Sequence, residues 1–226
     1  MSLETLLARL RAFHFPEGEE AGRRIRGLRT VQAGAIRGSA SAAWGPLRAE
    51  ETVAATHSGF HWQARMGRGL LGSLTVVDAY EEGHGLLLAR KGPLVLKRAT
   101  GPDIDRGEIQ RYLSLLSYCP SLLLLHPGLA WEALGEDRLR LRDRGDATGS
   151  TVDLLLGPQG SVTEFRATRP MAVGNGSVPL PWTARPLAYG MHEGVRVATR
   201  LEADWSPATG TFTYVRIDLE RIETLP

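Results

Sequence analysis

Hydrophobic and polar residues alternate with a period of two along much of this chain. In residues 60–66, Phe60, Trp62, Ala64 and Met66 share one face of a candidate strand. The same alternation occurs in residues 138–142, 152–156 and 195–205. This pattern predicts strands with one buried and one solvated face, as in an antiparallel sheet. Short clusters of glycine, proline and aspartate separate the segments, so we expect roughly ten to thirteen strands joined as a meander.

One long segment has the period of an amphipathic helix instead. It runs from Asp105 to Cys119, where Asp105 and Glu108 are spaced like a capping box and Pro120 predicts the helix end. Its apolar face consists of Ile109, Tyr112, Leu113, Leu116 and Cys119, and its polar face of Gln110, Arg111, Ser114 and Ser117. A single apolar helix in a β-rich chain predicts a mainly β (α+β) fold. We expect a large curved antiparallel sheet, or open β-barrel, wrapped around one central helix.

The first residues predict a further, short helix at about residues 2–14, with Leu3, Leu6, Leu7 and Leu10 on one side. We interpret this helix as a cap docked on the sheet, because a membrane-surface anchor would need a larger apolar face. The chain shows no linker or low-complexity tract. We therefore expect a single domain over residues 1–226, with the curved sheet at about 28–222 interrupted by the helix at 105–119.

The sequence predicts neither a secretory leader nor an integral membrane segment. Residues 1–20 lack a continuous apolar core followed by a small-residue cleavage site, and no run of about 18 apolar residues occurs. We therefore expect a cytoplasmic protein.

The composition is that of an ordinary globular protein. Hydrophobic residues make up 42% of the 226 residues and charged residues 23%, which suffices for a sizeable core. The net charge of +2 is too small to indicate nucleic-acid binding, so we expect no nucleic-acid partner. The 27 basic residues include only two lysines, and there is one asparagine. From the scarcity of heat-labile amides we infer a thermophilic bacterial source.

Motifs for nucleophilic catalysis and for P-loop phosphate binding, G-x-S-x-G and G-x-x-x-x-G-K-[ST], are absent from the sequence. His57 and His61 have the spacing H-x-x-x-H, but a turn at Ser58–Gly59 separates them and no third ligand is evident. Exposed histidines at strand ends are therefore favoured over a metal site. Cys119 falls on the apolar side of the helix, which favours a buried, inert thiol over a nucleophile. We expect no catalytic residue, no metal and no cofactor.

Arg111 and Tyr112 lie on the helix that is expected to face the sheet, where a buried polar group needs a partner. Glu132 follows soon after, so an Arg111–Glu132 pair is conceivable, and we favour a buried ion pair or hydrogen bond that locks the helix to the sheet. In the functional interpretation, Arg111 instead recognises the head group of an apolar ligand. The tryptophans are expected to fill the core or to line a cavity. The candidate ligand-binding set is Arg111, Tyr112, Trp131, Glu132, Trp182 and Tyr214.

Several short motifs follow one another in a fixed order from about residue 28 onward. They are D-x-G-E-x-x-R-Y-L from Asp105 to Leu113, Pro120, W-E-A from Trp131 to Ala133, Arg169–Pro170, Pro181–Trp182 and Y-x-R-I from Tyr214 to Ile217. As an ordered set they resemble an uncharacterised bacterial domain family of unknown function. The resemblance implies an open β-barrel similar to that of the lipoprotein carriers (LolA/LolB-like), in which a curved sheet wraps a helix and an apolar cavity lies between them.

Three functions are consistent with these observations. The first is a non-enzymatic binding or carrier module for a hydrophobic, lipid-like ligand held between sheet and helix. The second is a structural or protein-interaction domain with a filled barrel, whose exposed edge strand pairs with a partner or forms a homo-oligomer. The third is an enzyme of unrecognised type that uses Arg111, Tyr112 and Glu132. An empty apolar cavity favours the first, a packed interior the second, and convergent ionisable groups in an open cleft the third.

Overall fold

The described part of the chain contains thirteen strands and four helices. The structure is a computed structural model that describes residues 1–67, 73–174 and 176–226. The strands are β1 (Gly27–Ile36), β2 (Gly45–Ala54), β3 (Phe60–Met66), β4 (Leu74–Glu81), β5 (His84–Lys91), β6 (Leu94–Ala99), β7 (Leu129–Ala133), β8 (Arg138–Asp143), β9 (Val152–Leu156), β10 (Val162–Val173), β11 (Gly176–His192), β12 (Val195–Trp205) and β13 (Phe212–Leu225). The helices are α1 (Leu3–His14), α2 (Glu20–Arg24), α3 (Pro102–Ser114) and α4 (Leu122–Leu125), with a 3-10 turn at Leu115–Ser117.

All thirteen strands belong to one antiparallel sheet, in the order β6-β5-β4-β3-β2-β1-β13-β12-β11-β10-β9-β8-β7. Every neighbouring pair except β1 and β13 is also consecutive in the chain. The predicted mainly β fold and its meander connections are therefore confirmed. Strands β6 and β7 form the two edges, and the helical segment between them crosses the inside of the sheet from one edge to the other.

The predicted faces of the strands are largely those observed. Strand β3 buries Phe60, Trp62 and Ala64 and exposes His61 and Gln63, and β8 and β9 bury alternate residues in the same way. In β12 the alternation is interrupted, because the register shifts where this strand pairs with β11 and with β13. A bulge adds one residue to one strand and so changes which side chains point inward.

Helix α3 lies against the inner face of the sheet and contacts both of its halves, β4 and β5 on one side and β8 to β10 on the other. The predicted start at Asp105 was wrong, since the helix begins three residues earlier, at Pro102. Proline suits the first turn, where its missing N–H costs no hydrogen bond. Asp105 does not cap the helix; its Oδ1 accepts a hydrogen bond from the Gly85 N–H at 2.6 Å.

The expected apolar face of α3 is buried as predicted, with Ile109, Tyr112 and Leu113 almost completely inaccessible. The expected polar face was wrong, because Gln110 and Ser114 are buried as well. The two halves of the sheet contact this helix from different sides, so it has no fully solvated face. The buried Gln110 side chain is partly hydrogen-bonded, because its Nε2 donates to the backbone carbonyls of Thr168 and Thr151.

Helix α1 docks on the sheet as the predicted cap. Leu6 and Leu10 are fully buried, and the helix contacts β7, β8 and β12. Arg9 donates to the carbonyl of Gly157 at 2.9 Å, and His14 Nδ1 donates to the carbonyl of Arg196 at 2.7 Å. Burial lowers the pKa of His14 to about 4, so this contact is made by a neutral imidazole. No helix within the described ranges is long and apolar enough to cross a membrane.

Candidate functional site

A cavity of about 820 Å³ lies between α3 and the inner face of the sheet. Its wall is formed by α3 and by strands from both halves of the sheet. Most of the wall is apolar and includes Ile36, Met66, Val76, Leu115, Leu201 and Ile217. The volume lies within the range of small-molecule binding sites, roughly 300–1,000 Å³. The barrel is therefore not filled by its own side chains.

One end of the cavity wall is a buried ionic network centred on Arg111. Its Nη1 donates to Asp78 Oδ2 at 2.6 Å and its Nη2 to Glu51 Oε1 at 3.2 Å. The guanidinium carbon also lies 4.5 Å from the centre of the Trp62 ring. Two carboxylates and an aromatic face thus surround this cation, which fixes α3 to β2, β3 and β4.

Glu51 is the most buried acid of the network and is fully hydrogen-bonded. Its second oxygen accepts from Gln32 Nε2 at 2.8 Å and from the Tyr118 hydroxyl. Gln32 in turn accepts from Trp62 Nε1 at 3.0 Å. A buried carboxylate is tolerable only when its oxygens are paired in this way, so we interpret the Arg111–Glu51 side of the network as structural.

Glu108 and Asp78 are the acids of this network that line the cavity, whose wall also includes Asp103 and Glu202. Burial, together with the neighbouring Asp78, raises the pKa of Glu108 to about 8, although Arg111 and Arg169 act in the opposite direction. Burial also raises the pKa of Asp78, against the effect of Arg111. Glu108 Oε2 and Asp78 Oδ1 have no hydrogen-bond partner among the described residues. At neutral pH, Glu108 is therefore mostly a neutral carboxyl group that can donate a hydrogen bond into the cavity.

Arg169 lies beside Glu108 and against an aromatic wall. Its Nη2 donates to the carbonyl of Gly107 at 2.7 Å, and its guanidinium carbon lies 4.5 Å from the centre of the Trp182 ring. Trp182 Nε1 donates to the Tyr214 hydroxyl at 3.1 Å, and Tyr214 packs against Trp205. Within the described residues, Arg169 forms no ion pair with a carboxylate. Its charge is therefore balanced less directly than that of Arg111.

The structure brings together only half of the residues that the sequence nominated. Arg111, Trp182 and Tyr214 line the cavity. Tyr112 is buried on the other side of α3, where its hydroxyl donates to the carbonyls of His57 and Ala54 at 2.6 and 3.0 Å. Trp131 packs against the core from edge strand β7, outside the cavity wall.

The expected buried ion pair between helix and sheet is present, but it joins Arg111 to Glu51 and Asp78, and the candidate partner Glu132 was wrong. Glu132 is exposed on β7, at the opposite edge of the sheet from the strands that hold Asp78 and Glu51. Nearness in sequence misled here, because α3 points its cation towards β2 and β4 while the chain continues to the far edge. Arg111, Tyr112 and Glu132 therefore do not converge on one site.

No sequence motif marks the acids that pair with Arg111, but the alternation of buried and exposed residues identifies one of them. In β2, Leu47, Ala49, Glu51 and Val53 occupy the buried phase of the alternation. A glutamate in that phase requires a buried partner, so Glu51 marks the network without any knowledge of the fold. Asp78 and Arg169 leave weaker signals, since their strands alternate less clearly.

A second polar cluster joins Ser58, His126 and Asp143 outside the cavity. Ser58 Oγ donates to Asp143 Oδ2 at 2.5 Å and lies 3.1 Å from His126 Nε2. The Gly128 N–H donates to His126 Nδ1, so the neutral ring carries its proton on Nε2 and donates to Ser58. Burial lowers the pKa of His126, which favours this neutral form. The imidazole cannot accept the serine proton, so the cluster lacks the arrangement of a catalytic triad.

Cys119 is fully buried, and burial, together with the charge of Glu51, raises the pKa of its thiol to about 12. The thiol is therefore not a nucleophile at neutral pH. His57 and His61 are exposed. Among the described residues, no group of three or more histidine, cysteine, aspartate or glutamate side chains is arranged to hold a metal ion.

The sequence from Gly67 to Gly72 has the spacing G-x-G-x-x-G, which occurs in dinucleotide-binding sites. Residues 68–72 lie outside the described residues. The flanking strands β3 and β4 are antiparallel neighbours, whereas the nucleotide site requires a strand followed by a helix in a parallel unit. The spacing therefore does not indicate a nucleotide site here.

Other solved structures have a fold similar to that of this chain. The chain is similar to a LolA superfamily protein from Nitrosomonas europaea, at 11% identity and a TM-score of 0.52, over 100% of this chain and 94% of that chain. It is similar to a DUF1329 family protein from Desulfovibrio piger, at 10% identity and a TM-score of 0.54, over 97% and 90%. A third, provisionally described as an outer membrane lipoprotein-sorting protein domain from Vibrio parahaemolyticus, has 10% identity and a TM-score of 0.55, over 98% and 89%. The fold is thus a LolA-like open β-barrel.

The chain belongs to a family of unknown function (DUF6544), which matches residues 16–217. Among curated proteins, none matches this sequence. The expected membership of an uncharacterised family with a lipoprotein-carrier-like fold is therefore confirmed.

Proposed function

We propose that this protein is a non-enzymatic binding or carrier module for a hydrophobic, lipid-like ligand held between α3 and the sheet. The observation that carries the proposal is the mainly apolar cavity of about 820 Å³. A barrel that served only as a scaffold would be more stable with this space filled by side chains, because an empty apolar cavity lacks favourable packing contacts. The LolA-like fold supports the proposal by analogy alone.

The two competing functions have less support. A structural domain with a filled barrel is not consistent with the cavity. An enzyme built on Arg111, Tyr112 and Glu132 lacks a site, since those three side chains lie in different parts of the molecule. A few polar groups within an apolar wall are instead typical of a binding site, where they orient one end of the ligand.

We assign the polar end of the ligand to Arg169 and Glu108 rather than to Arg111. Arg111 is already balanced by Glu51 and Asp78, whereas Arg169 has a backbone carbonyl and an aromatic ring as its partners. Glu108, when protonated, adds a hydrogen-bond donor beside that guanidinium. An acidic or carbonyl head group would be recognised by both.

Titration with a neutral, environment-sensitive apolar probe such as N-phenylnaphthylamine tests the ligand site. We expect saturable binding with a stoichiometry near one, because such cavities are few per protein. Ala203→Phe places a ring in the cavity wall and should weaken binding by more than about tenfold. Ala79→Phe is the matched control, since Ala79 pairs with the exposed His61 outside the cavity wall. Absence of saturable binding, or equal effects of both substitutions, would refute the proposal.

The head-group assignment has its own test with lauric acid and lauryl alcohol, which share one chain length. Arg169→Met should reduce affinity for the acid more than for the alcohol, since only a carboxylate forms charge-assisted bonds with the guanidinium. Arg111→Met should affect both ligands alike. The reverse order would assign the head group to Arg111.

The cytoplasmic location and the thermophilic source expected from the sequence stay predictions. Fractionation of expressing cells with immunodetection of the protein tests the location, and a periplasmic pool would contradict it.

A further inference from the structure

The β5–β6 hairpin exposes three consecutive large apolar residues. Leu94, Val95 and Leu96 are 62%, 48% and 53% accessible, although such side chains are ordinarily among the most buried. They stand directly after the Gly92–Pro93 turn, at the start of edge strand β6. Scattered apolar residues on a surface need no explanation, but a contiguous group at a hairpin tip indicates a contact that is missing from the isolated chain.

Four cations flank this apolar group. Arg90 and Lys91 precede the turn and Lys97 and Arg98 follow it, and all four are exposed. None of them takes part in an ion pair within the described ranges. The only two lysines of the chain are Lys91 and Lys97. Long basic side chains around an apolar tip match a surface that is apolar inside and negatively charged outside, which is the character of an anionic lipid bilayer.

Strand pairing with a second protein chain is a poor explanation of the same surface. The register of β6 on β5 shifts between Ala89 and Arg90, which leaves Leu96 as an extra, bulged residue. Bulges, an adjacent proline and lysines on an edge strand are features that prevent edge-to-edge pairing. The other edge strand, β7, contacts α1. The expected homo-oligomer through an edge strand therefore has little support from this edge.

We propose that the β5–β6 hairpin docks the protein on an anionic lipid surface, with Leu94, Val95 and Leu96 inserted between head groups and the four cations bound to them. The same strand lines the cavity through Lys97 and Ala99. The β10–β11 hairpin also lines the cavity and exposes Val173 and Val178. Docking by β6 would therefore bring the cavity wall to the bilayer. Exchange of a lipid-like ligand there rests on the proposed function, whereas docking itself does not.

Co-sedimentation of the full chain with vesicles tests the docking surface. One set contains equal parts of phosphatidylglycerol and phosphatidylcholine, and the other contains phosphatidylcholine alone. We expect binding to the anionic set that weakens as salt is added. Arg90→Gln with Arg98→Gln should weaken vesicle binding by about 30-fold, since each cation near a charged bilayer contributes a roughly equal increment of binding free energy. Leu94→Ser with Leu96→Ser should weaken it by more than about tenfold.

Matched controls come from other exposed sites. Arg138→Gln with Arg142→Gln removes two exposed cations from β8, and Leu187→Ser removes a side chain that is 50% accessible on β11. These variants should bind vesicles as the unmodified chain does. The proposal would be overturned if the control variants lost vesicle binding to the same extent, or if the chain bound both vesicle sets equally. A change of oligomeric state in Leu94→Ser with Leu96→Ser would also overturn it. Probe binding in solution should be unchanged in all these variants, so a failure of docking is distinguishable from a failure of the ligand site.

Discussion

Single residues of the ionic network show what a sequence reveals about a buried site and what it conceals. Glu51 could be identified because its strand keeps a strict period of two, so a charge in the buried phase stands out. Its partner could not be identified in this way. Arg111 reaches across to β2 and β4, and pairing between distant segments leaves no local pattern.

Arg111→Met should lower the free energy of unfolding by about 3–5 kcal/mol, because Glu51 and Asp78 then remain buried with an uncompensated charge. Urea unfolding measures this difference. Arg142→Met, an exposed arginine on β8, is the control and should change stability by less than about 0.5 kcal/mol. If both substitutions had the same effect, the network would not stabilise the contact between α3 and the sheet.

Glu108→Gln should change how stability depends on pH. The pKa of Glu108 is about 8 in the folded protein, above its usual value of 4.5, so the folded state retains a proton that the unfolded state has lost. Stability therefore falls as pH rises from about 4.5 to about 8. The glutamine side chain does not titrate, so the variant lacks this fall in stability. Between about pH 4.5 and about pH 8, its free energy of unfolding should therefore rise relative to that of the unmodified chain by on the order of a few kcal/mol.

Urea unfolding of both proteins at several pH values tests this. Glu51, Arg111 and Arg169 surround Glu108 and are unchanged in the variant. The charge of Asp78 raises the pKa of Glu108, so these two acids titrate together and the measured difference belongs to the pair. Glu132→Gln, at an exposed glutamate, is the control. Parallel pH profiles for Glu108→Gln and the unmodified chain would show that Glu108 is ionised in the fold.

At the scale of elements, the central helix was predictable by its apolar face but not by its surroundings. The period of 3.6 identifies Ile109, Leu113 and Leu116 as buried, and they are. The pattern cannot tell that Gln110 and Ser114 are buried too, because a second packing surface appears only when the sheet curves around the helix. The helix start was misplaced for a related reason, since the Asp105 side chain accepts a hydrogen bond from Gly85 on β5 and does not cap the helix.

Leu113→Asp should destabilise the protein by several kcal/mol, because it places an unpaired charge where the side chain is 1% accessible. Thermal unfolding followed by circular dichroism measures this. Arg106→Asp, at an exposed position of the same helix, controls for the added acid and should have a small effect. A Leu113→Asp variant that melts with the unmodified chain would contradict the central position of α3.

At the scale of the whole molecule, the meander was predictable and its closure was not. Short turns fix which strands are neighbours along most of the chain, so eleven of the twelve strand pairings join consecutive strands, in the two runs β1–β6 and β7–β13. The β1–β13 pairing joins those runs between residues nearly 200 positions apart, as in Gly27 with Leu225. That contact decides that β6 and β7 are the edges and that the helical segment crosses the interior. The cavity follows from it.

If the scarcity of asparagine and lysine reflects adaptation to heat, we expect a thermal midpoint above the range of about 45–65 °C that is common for mesophilic domains. Differential scanning calorimetry measures the midpoint. A value inside that range would count against a thermophilic source and would leave the arginine bias without a stability explanation.

Native mass spectrometry of protein purified without detergent tests the central claim most directly. We expect a single bound mass of lipid-like composition, at a stoichiometry of about one, that is released on denaturation. The Ala203→Phe variant should lose this mass, and Ala79→Phe should keep it. A bare polypeptide mass that stays bare after incubation with amphiphiles of either head-group charge would contradict the binding function.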